Sequence, residues 1–165
     1  MISSLTESLF PNLCMACRKT LAGPEPFCPA CARLVEPLSQ AVCTVCASPL
    51  PAYPDGGECL RCIRRETGFD AFYAAFHYGG PIKEAILALK HSGRLEFSDR
   101  LATLLARKMA DRIPADCAGV TSVPLHPRRL TRRGYNQAEI LSKGLAKRLG
   151  LPHRPALLRR IRETG

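Results

Sequence analysis

VPLHPRRLTRRGYNQAEI, residues 123–140, carries a short apolar run into the opening of a helix, and the rest of the chain is read outward from it. Ahead of it, Gly119, Val120, Thr121, Ser122 and Val123 form a largely β-branched run that suits a short buried strand. Pro124 ends that strand, because proline donates no ladder hydrogen bond. Behind it, Asn136 followed by Glu139 has the form of a capping box, and Ile140, Leu141, Leu145 and Leu149 recur at helical spacing. The spacing predicts a helix over about residues 137–149, stopped by Gly150 and Pro152.

Between the predicted strand and helix lie Arg128, Arg129, Arg132 and Arg133, with Gly134 immediately before the helix. Guanidinium donors, a flexible glycine and a helix N-terminus together make a site for an oxyanion, and ligands in α/β folds bind at the carboxyl ends of strands. The competing reading is a solvated basic loop; the flanking strand and cap favour anion binding.

Charge is distributed to match. The formal net charge is +10, yet residues 119–165 hold eleven Lys/Arg against Glu139 and Glu163, while residues 1–118 are nearly balanced at thirteen against twelve. Such an asymmetry implies a phosphate-bearing partner, nucleotide or nucleic acid. No basic leader with an apolar core opens the chain, and no apolar run reaches the ~18 residues needed to cross a bilayer. The expected location is cytoplasmic, where thiols stay reduced.

Cys14 and Cys17, Cys28 and Cys31, Cys43 and Cys46, and Cys59 and Cys62 form four Cys-x-x-Cys pairs, with ten residues between the first two pairs and twelve between the last two. This is an internal repeat. Two such turns complete a tetrahedral four-thiolate shell with metal–sulfur bonds of about 2.3 Å, so two structural Zn2+ sites are expected. Soft thiolates also suit an iron–sulfur centre, but zinc is the better match. Disulfides require an oxidising compartment, and a redox motif requires one pair beside a βαβ unit. Loop-closure entropy favours sequential over interleaved ligation without deciding between them. The prolines through residues 24–54 keep this region in turns, so its folding should depend on metal. Cys117 stands apart and reads as a small buried apolar residue.

Ile2, Leu5, Leu9 and Phe10 suggest a short leading helix. Residues 69–78, rich in Phe and Tyr, read as one strand or a bent pair, and Gly79, Gly80 and Pro81 turn it into a helix over residues 82–90 with Ile82, Ile86 and Leu89 on the core side. Lys90, His91, Gly93 and Arg94 form a second basic turn, read as a solvated helix end more readily than as a ligand contact, with Lys90 kept as a candidate. Ser98 reads as the cap of a helix over residues 99–112 with an apolar stripe of Leu101, Leu104, Leu105 and Met109. His126 borders the arginines and is expected to be structural or hydrogen-bonding rather than a general base.

The Cys pairs, FHYGGPIKEAILALKHSG (residues 76–93), SVPLHPRRLTRRGYNQAEILSKGLAKRLG (residues 122–150) and LLRRIRETG (residues 157–165) together resemble the ComF family of competence-associated phosphoribosyltransferase-like proteins. The resemblance implies a lead at residues 1–11, a double zinc ribbon at 12–66 and, at 67–165, an α/β domain of type I phosphoribosyltransferase fold with a parallel sheet. It further implies a link to uptake of single-stranded DNA in natural transformation. Arg128, Arg129, Arg132, Arg133, Gly134, Asn136, His126 and Lys90 are then the candidates for contacting pyrophosphate or 5-phosphoribosyl-1-pyrophosphate (PRPP).

Members of the family continue into paired acidic residues and a Thr/Gly-rich loop that holds ribose and 5′-phosphate near Mg2+. Nothing like Asp-Asp-x-x-Thr-Thr-Gly occurs in the 165 residues, so the domain is expected to be incomplete, truncated before the PRPP loop and inactive as a transferase on its own. Mg2+ with PRPP is expected only in the complete domain. The alternative is a single-stranded nucleic-acid-binding module in which the arginines track phosphates and Tyr135 offers a stacking surface.

Overall fold

A computed structural model describes residues 11–38, 41–50, 57–64 and 68–163. The leading helix expected over residues 1–10 lies outside the described residues.

The repeat read from cysteine spacing is a repeat in the backbone. In the first unit Cys14 N–H donates to Lys19 O at 2.8 Å and Arg18 N–H returns to Cys14 O at 3.0 Å. In the second, Cys43 N–H donates to Ser48 O at 2.8 Å and Ala47 N–H to Cys43 O at 2.9 Å. Each turn closes at a left-handed residue, Arg18 with φ 66° and Ala47 with φ 55°. Antiparallel bridges Leu13 to Thr20 and Val42 to Pro49 stand at equivalent places. Each unit ends in one helical turn, α1 (Pro29–Ala32) and α2 (Leu60–Ile63), N-capped by Cys28 and Cys59 respectively.

The aromatic segment 69–78 is not a strand of a sheet. It crosses both units as a strap: Phe72 N–H donates to Val45 O at 2.7 Å, Phe76 bridges Pro37, and His77 N–H donates to Glu36 O at 3.0 Å. The chain then enters α3 (Gly80–His91), which buries Pro81, Ile82, Ala85, Ala88 and Leu89. The next helix, α4, spans Glu96–Met109 and runs into a short 3-10 turn, Ala110–Arg112. It starts earlier than the sequence predicts. Ser98 lies inside it, its hydroxyl donating back to Leu95 O at 2.6 Å, and the buried stripe is Phe97, Leu101, Ala102 and Ala106.

The core joins ribbon to helices. Cys14, Met15, Phe27 and Cys28 of the first unit pack with Ile82, Ala85, Ala88, Leu89, Phe97 and Leu101, whereas no described residue of the second unit belongs to this cluster. Phe97 is fully buried, with the Arg18 guanidinium 4.7 Å from its ring centroid and that of Arg100 at 5.2 Å. Arg100 also donates to Glu25 O at 3.1 Å. A ring between two cations, one from each module, welds them where a charged rim alone would contribute little.

The arginine-rich segment departs most from expectation. Residues expected to form a loop are a helix, α5 (Pro127–Arg133), with Pro127 in the first turn and Gly134 (φ 81°) as its left-handed C-cap. The following helix, α6 (Gln137–Leu149), has the bounds the sequence predicts, with Asn136 accepting from Ala138 N–H and Gly150 (φ 67°) ending it. The parallel sheet expected for residues 67–165 is not formed: among the described residues β-pairing is confined to isolated bridges, of which Cys43 to Gly57 and Val120 to His153 are parallel, the latter lying within residues 67–165. Residues 121–126 form no ladder, so the predicted strand at 119–123 is reduced to that one rung. A final 3-10 turn spans Pro155–Leu157.

α4 and α6 pack closely because small residues meet. A Cβ built on Gly144 would lie 2.8 Å from the Ala102 Cβ. Arg148 locks the pair, bonding Asp99 at 2.7 Å, Thr103 Oγ1 at 2.7 Å and Gly144 O at 3.0 Å. Gly144→Val is therefore expected to lower unfolding free energy by about 1–3 kcal/mol through overpacking, measured by urea denaturation. An unchanged midpoint would show that the helices are not in this contact.

Candidate functional site

Two sites are built from the described residues. The first is the pair of cysteine clusters. Sulfurs of Cys14, Cys17, Cys28 and Cys31 lie within 4.8 Å of one another, as do those of Cys43, Cys46, Cys59 and Cys62. Ligation is thus sequential, which spacing had left open. A tetrahedron with metal–sulfur bonds of about 2.3 Å has edges of about 3.8 Å; Cys17 to Cys28 is 3.7 Å and Cys46 to Cys59 is 3.8 Å. The residues present therefore fit structural zinc at both sites, and a shell of four thiolates leaves no coordination position for substrate.

Backbone donors prepare the thiolates. Cys28 N–H points at Cys14 Sγ (3.4 Å) and Cys59 N–H at Cys43 Sγ (3.3 Å). Burial works to raise both thiols, yet the N–H groups of Cys28, Cys17 and Ala16 outweigh it at Cys14, and those of Cys59, Cys46 and Val45 at Cys43, bringing each to about 6. Cys31 and Cys62 are pushed up to about 12, by burial first and then by neighbouring cysteines. Four crowded sulfurs cannot all ionise without a cation between them, which is the condition zinc supplies.

The second site is a cavity of about 550 Å3 lined by Lys90, His91, Gly93, Arg129, Arg132, Arg133 and Tyr135. Helix α5 explains the arginines: positions 129, 132 and 133 have the i, i+3, i+4 spacing that places residues on one helical face. The end of α3 supplies the opposite wall, and the chain leaves it through Gly93, held at φ 60°. No carboxylate is among the lining residues.

The sequence candidates divide. Arg129, Arg132, Arg133 and Lys90 come together. Arg128 does not: it sits on the exposed side of α5, paired with Glu163 at 3.1 Å. Asn136 is buried, its Nδ2 donating to Val123 O at 3.2 Å and its Oδ1 accepting from Ala138 N–H at 3.1 Å. Its role is to cap α6 and hold the segment before α5, not to line the cavity. His126 precedes α5 with its Nδ1 buried and without a hydrogen-bond partner, and Gly134 is the C-cap of α5. The basic turn after α3, read as a solvated end, instead gives Lys90 and His91 to the cavity, while Arg94 pairs with Glu96 at 3.2 Å. The helix N-terminus expected to face an anion is replaced by the C-terminal ends of α3 and α5, so any anion there is held by side-chain cations.

Tandem four-cysteine knuckles, the first packed on α3 and α4, define a double zinc ribbon protein, and residues 5–63 match the family model described as "Double zinc ribbon domain". The chain is 33% identical over 160 residues to the DNA utilization protein YhgH of Salmonella typhi, covering 93% of this chain and 69% of that protein. It is 28% identical over 165 residues to competence protein F of Haemophilus influenzae (95% and 69%), and 32% identical over 144 residues to YhgH of Escherichia coli K12 (83% and 61%). The chain belongs to the ComF/YhgH family. No solved structure matches it. Among the described residues no helix is long and apolar enough to cross a membrane.

Among the described residues only the first cluster shares the helical core. Elemental analysis should give two zinc per chain, one for each cluster. Cys28→Ser is expected to disorder α3 and α4, whereas Cys59→Ser should release one zinc and leave the helical signal and its melting nearly intact, as followed by far-UV circular dichroism. Equal collapse of both variants would contradict the unequal packing.

Proposed function

We propose that this chain is a phosphoribosyltransferase-like protein serving DNA uptake, with the basic cavity gripping the pyrophosphate group of PRPP. The supporting observation is the convergence of Lys90, Arg129, Arg132 and Arg133 from two helices on one concavity whose lining lacks carboxylates. Three guanidinium groups and an ammonium match a ligand bearing several negative charges better than one with a single charge. The names of the relatives, DNA utilization protein and competence protein, support the cellular role.

In this reading the ribbons hold the scaffold and take no part in chemistry. The cationic walls bind the diphosphate and, in a transfer reaction, would stabilise the charge that grows on it as the anomeric bond breaks. The lining does not fit Mg2+ as a protein-held ion, since that cation takes oxygen ligands and none of the lining residues is Asp or Glu. Groups to fix the ribose are likewise missing from the lining, so these residues alone account for binding rather than turnover.

A second reading, binding of single-stranded nucleic acid, has its own observation. Phe69, Phe72, Tyr73 and Tyr78 are exposed, and the Arg112 guanidinium lies 6.0 Å from the Tyr73 ring centroid, a combination that suits base stacking. Calorimetric titration separates the two. PRPP with Mg2+ should saturate at one per chain, and Arg132→Ala with Arg133→Ala should weaken it by at least about 100-fold, since hydrogen bonds to charged groups contribute about 1.5–3 kcal/mol each. Absence of heat with PRPP, together with oligonucleotide binding that falls linearly in log–log salt plots, would replace the first reading by the second.

A further inference from the structure

The two cationic walls of the cavity belong to different parts of the chain. Lys90 and His91 end α3, and Arg129, Arg132 and Arg133 lie on α5. A diphosphate that spans them binds at less cost when their separation is fixed. Tyr135 occupies the corner between Gly134, which ends α5, and Asn136, which starts α6. Tyr135 lines the cavity, and its hydroxyl donates to the carbonyl of Leu89, in the last turn of α3. Helical carbonyls there run out of intrahelical partners, so the phenol supplies a donor that the helix cannot.

The acceptor is a rigid one. Leu89 is fully buried and packs in the same cluster as Cys14, Met15 and Cys28, so the bond ties the arginine corner to the part of the molecule that the first metal site orders. On the other side of the corner, Asn136 is fixed by its bonds to Val123 and Ala138, and Arg133 is held against Gln137 by a hydrogen bond of 2.6 Å. The corner therefore behaves as one piece whose distance from Lys90 is set at the Tyr135 hydroxyl.

We infer that Tyr135 is a positioning residue: its O–H to Leu89 sets the spacing of the two walls and thereby selects an anion long enough to touch both, a diphosphate, over a single phosphate. This rests on the phosphate-binding reading of the cavity. A short anion needs one wall only and gains little from their spacing. A diphosphate gains from both, and a site already at the right width spares it the cost of ordering the walls on binding.

The test is calorimetric titration of pyrophosphate and of orthophosphate into the full chain, wild type and Tyr135→Phe, with zinc content and circular dichroism confirming the fold of each. Removal of one hydroxyl should weaken pyrophosphate about tenfold, the factor associated with one hydrogen bond, and leave orthophosphate within about twofold. A parallel Tyr135→Leu variant, which removes ring and hydroxyl, should lose the same selectivity. If Tyr135→Phe binds pyrophosphate as the wild type does, or loses both anions in equal proportion, the positioning role is overturned. If the wild type binds neither anion, the phosphate reading falls and the inference with it.

Discussion

Four thiolates held around one cation are the constraint on which the rest depends. The first cluster is contiguous with the main core: Cys14 and Cys28 both belong to the first four-sulfur cluster and to the apolar cluster that holds α3 and α4. Sulfur is suited to this double role because it is soft and apolar toward its neighbours yet binds metal as an anion. The Pro-rich chain around it has few large apolar side chains, so burial alone would not repay the entropy of ordering it. The second cluster repeats the geometry without the packing. It is fastened by the aromatic strap at Phe72 rather than by a shared interior.

The cavity shows a different balance. Helix C-termini carry partial negative charge, and α3 and α5 both end there. Basic residues in the last turn offset that charge, and His91, Lys90, Arg132 and Arg133 occupy those positions. Part of the cationic character thus answers the helices themselves. What is left over still favours an anion, because full charges on Lys90, Arg129, Arg132 and Arg133 exceed two half-charges and no acidic side chain lines the site. Cation count, rather than a helix dipole, is the physical basis of any binding.

Much of this was legible in sequence, and the boundary of legibility has physical causes. Cys spacing predicted the two metal sites because chelate geometry is local, and the choice between sequential and interleaved ligation had to wait for coordinates because it is a long-range property. Asn136, Gly150 and the leucine periodicity located α6 to the residue. The arginine segment was read as a loop although its i, i+3, i+4 spacing is helical and Pro127 is a good first-turn residue. A predicted strand on one side and a predicted helix on the other left that segment as the connection between them. Tyr135 is legible beside the arginines and Lys90 as a candidate, whereas His91 reads as part of a solvated helix end, since nothing in linear order brings the end of α3 to the corner after α5. Gly93 after a basic helix end was the available signal: it is held at φ 60° where the chain leaves α3.

One rung of a parallel ladder stands where the sheet was expected. Val120 N–H donates to Pro152 O and Arg154 N–H to Val120 O, both at 2.8 Å, which is the slanted pattern of a parallel ladder reduced to one rung. Between the two partners the chain passes through α5 and α6, so connectivity is that of a strand, a helical crossover and a strand. Gly119 permits the approach: a Cβ there would meet Pro152 O at 2.8 Å. Ser142 on α6 then bonds His153 Nε2 at 2.9 Å, tying the crossover to the rung. The β-branched run at 120–123 has the composition of a strand, and Val123 remains exposed because a strand is stable only with neighbours to pair. Composition therefore reported the local preference faithfully, while the ladder that would convert it into a sheet depends on partners that sequence-local reasoning does not see.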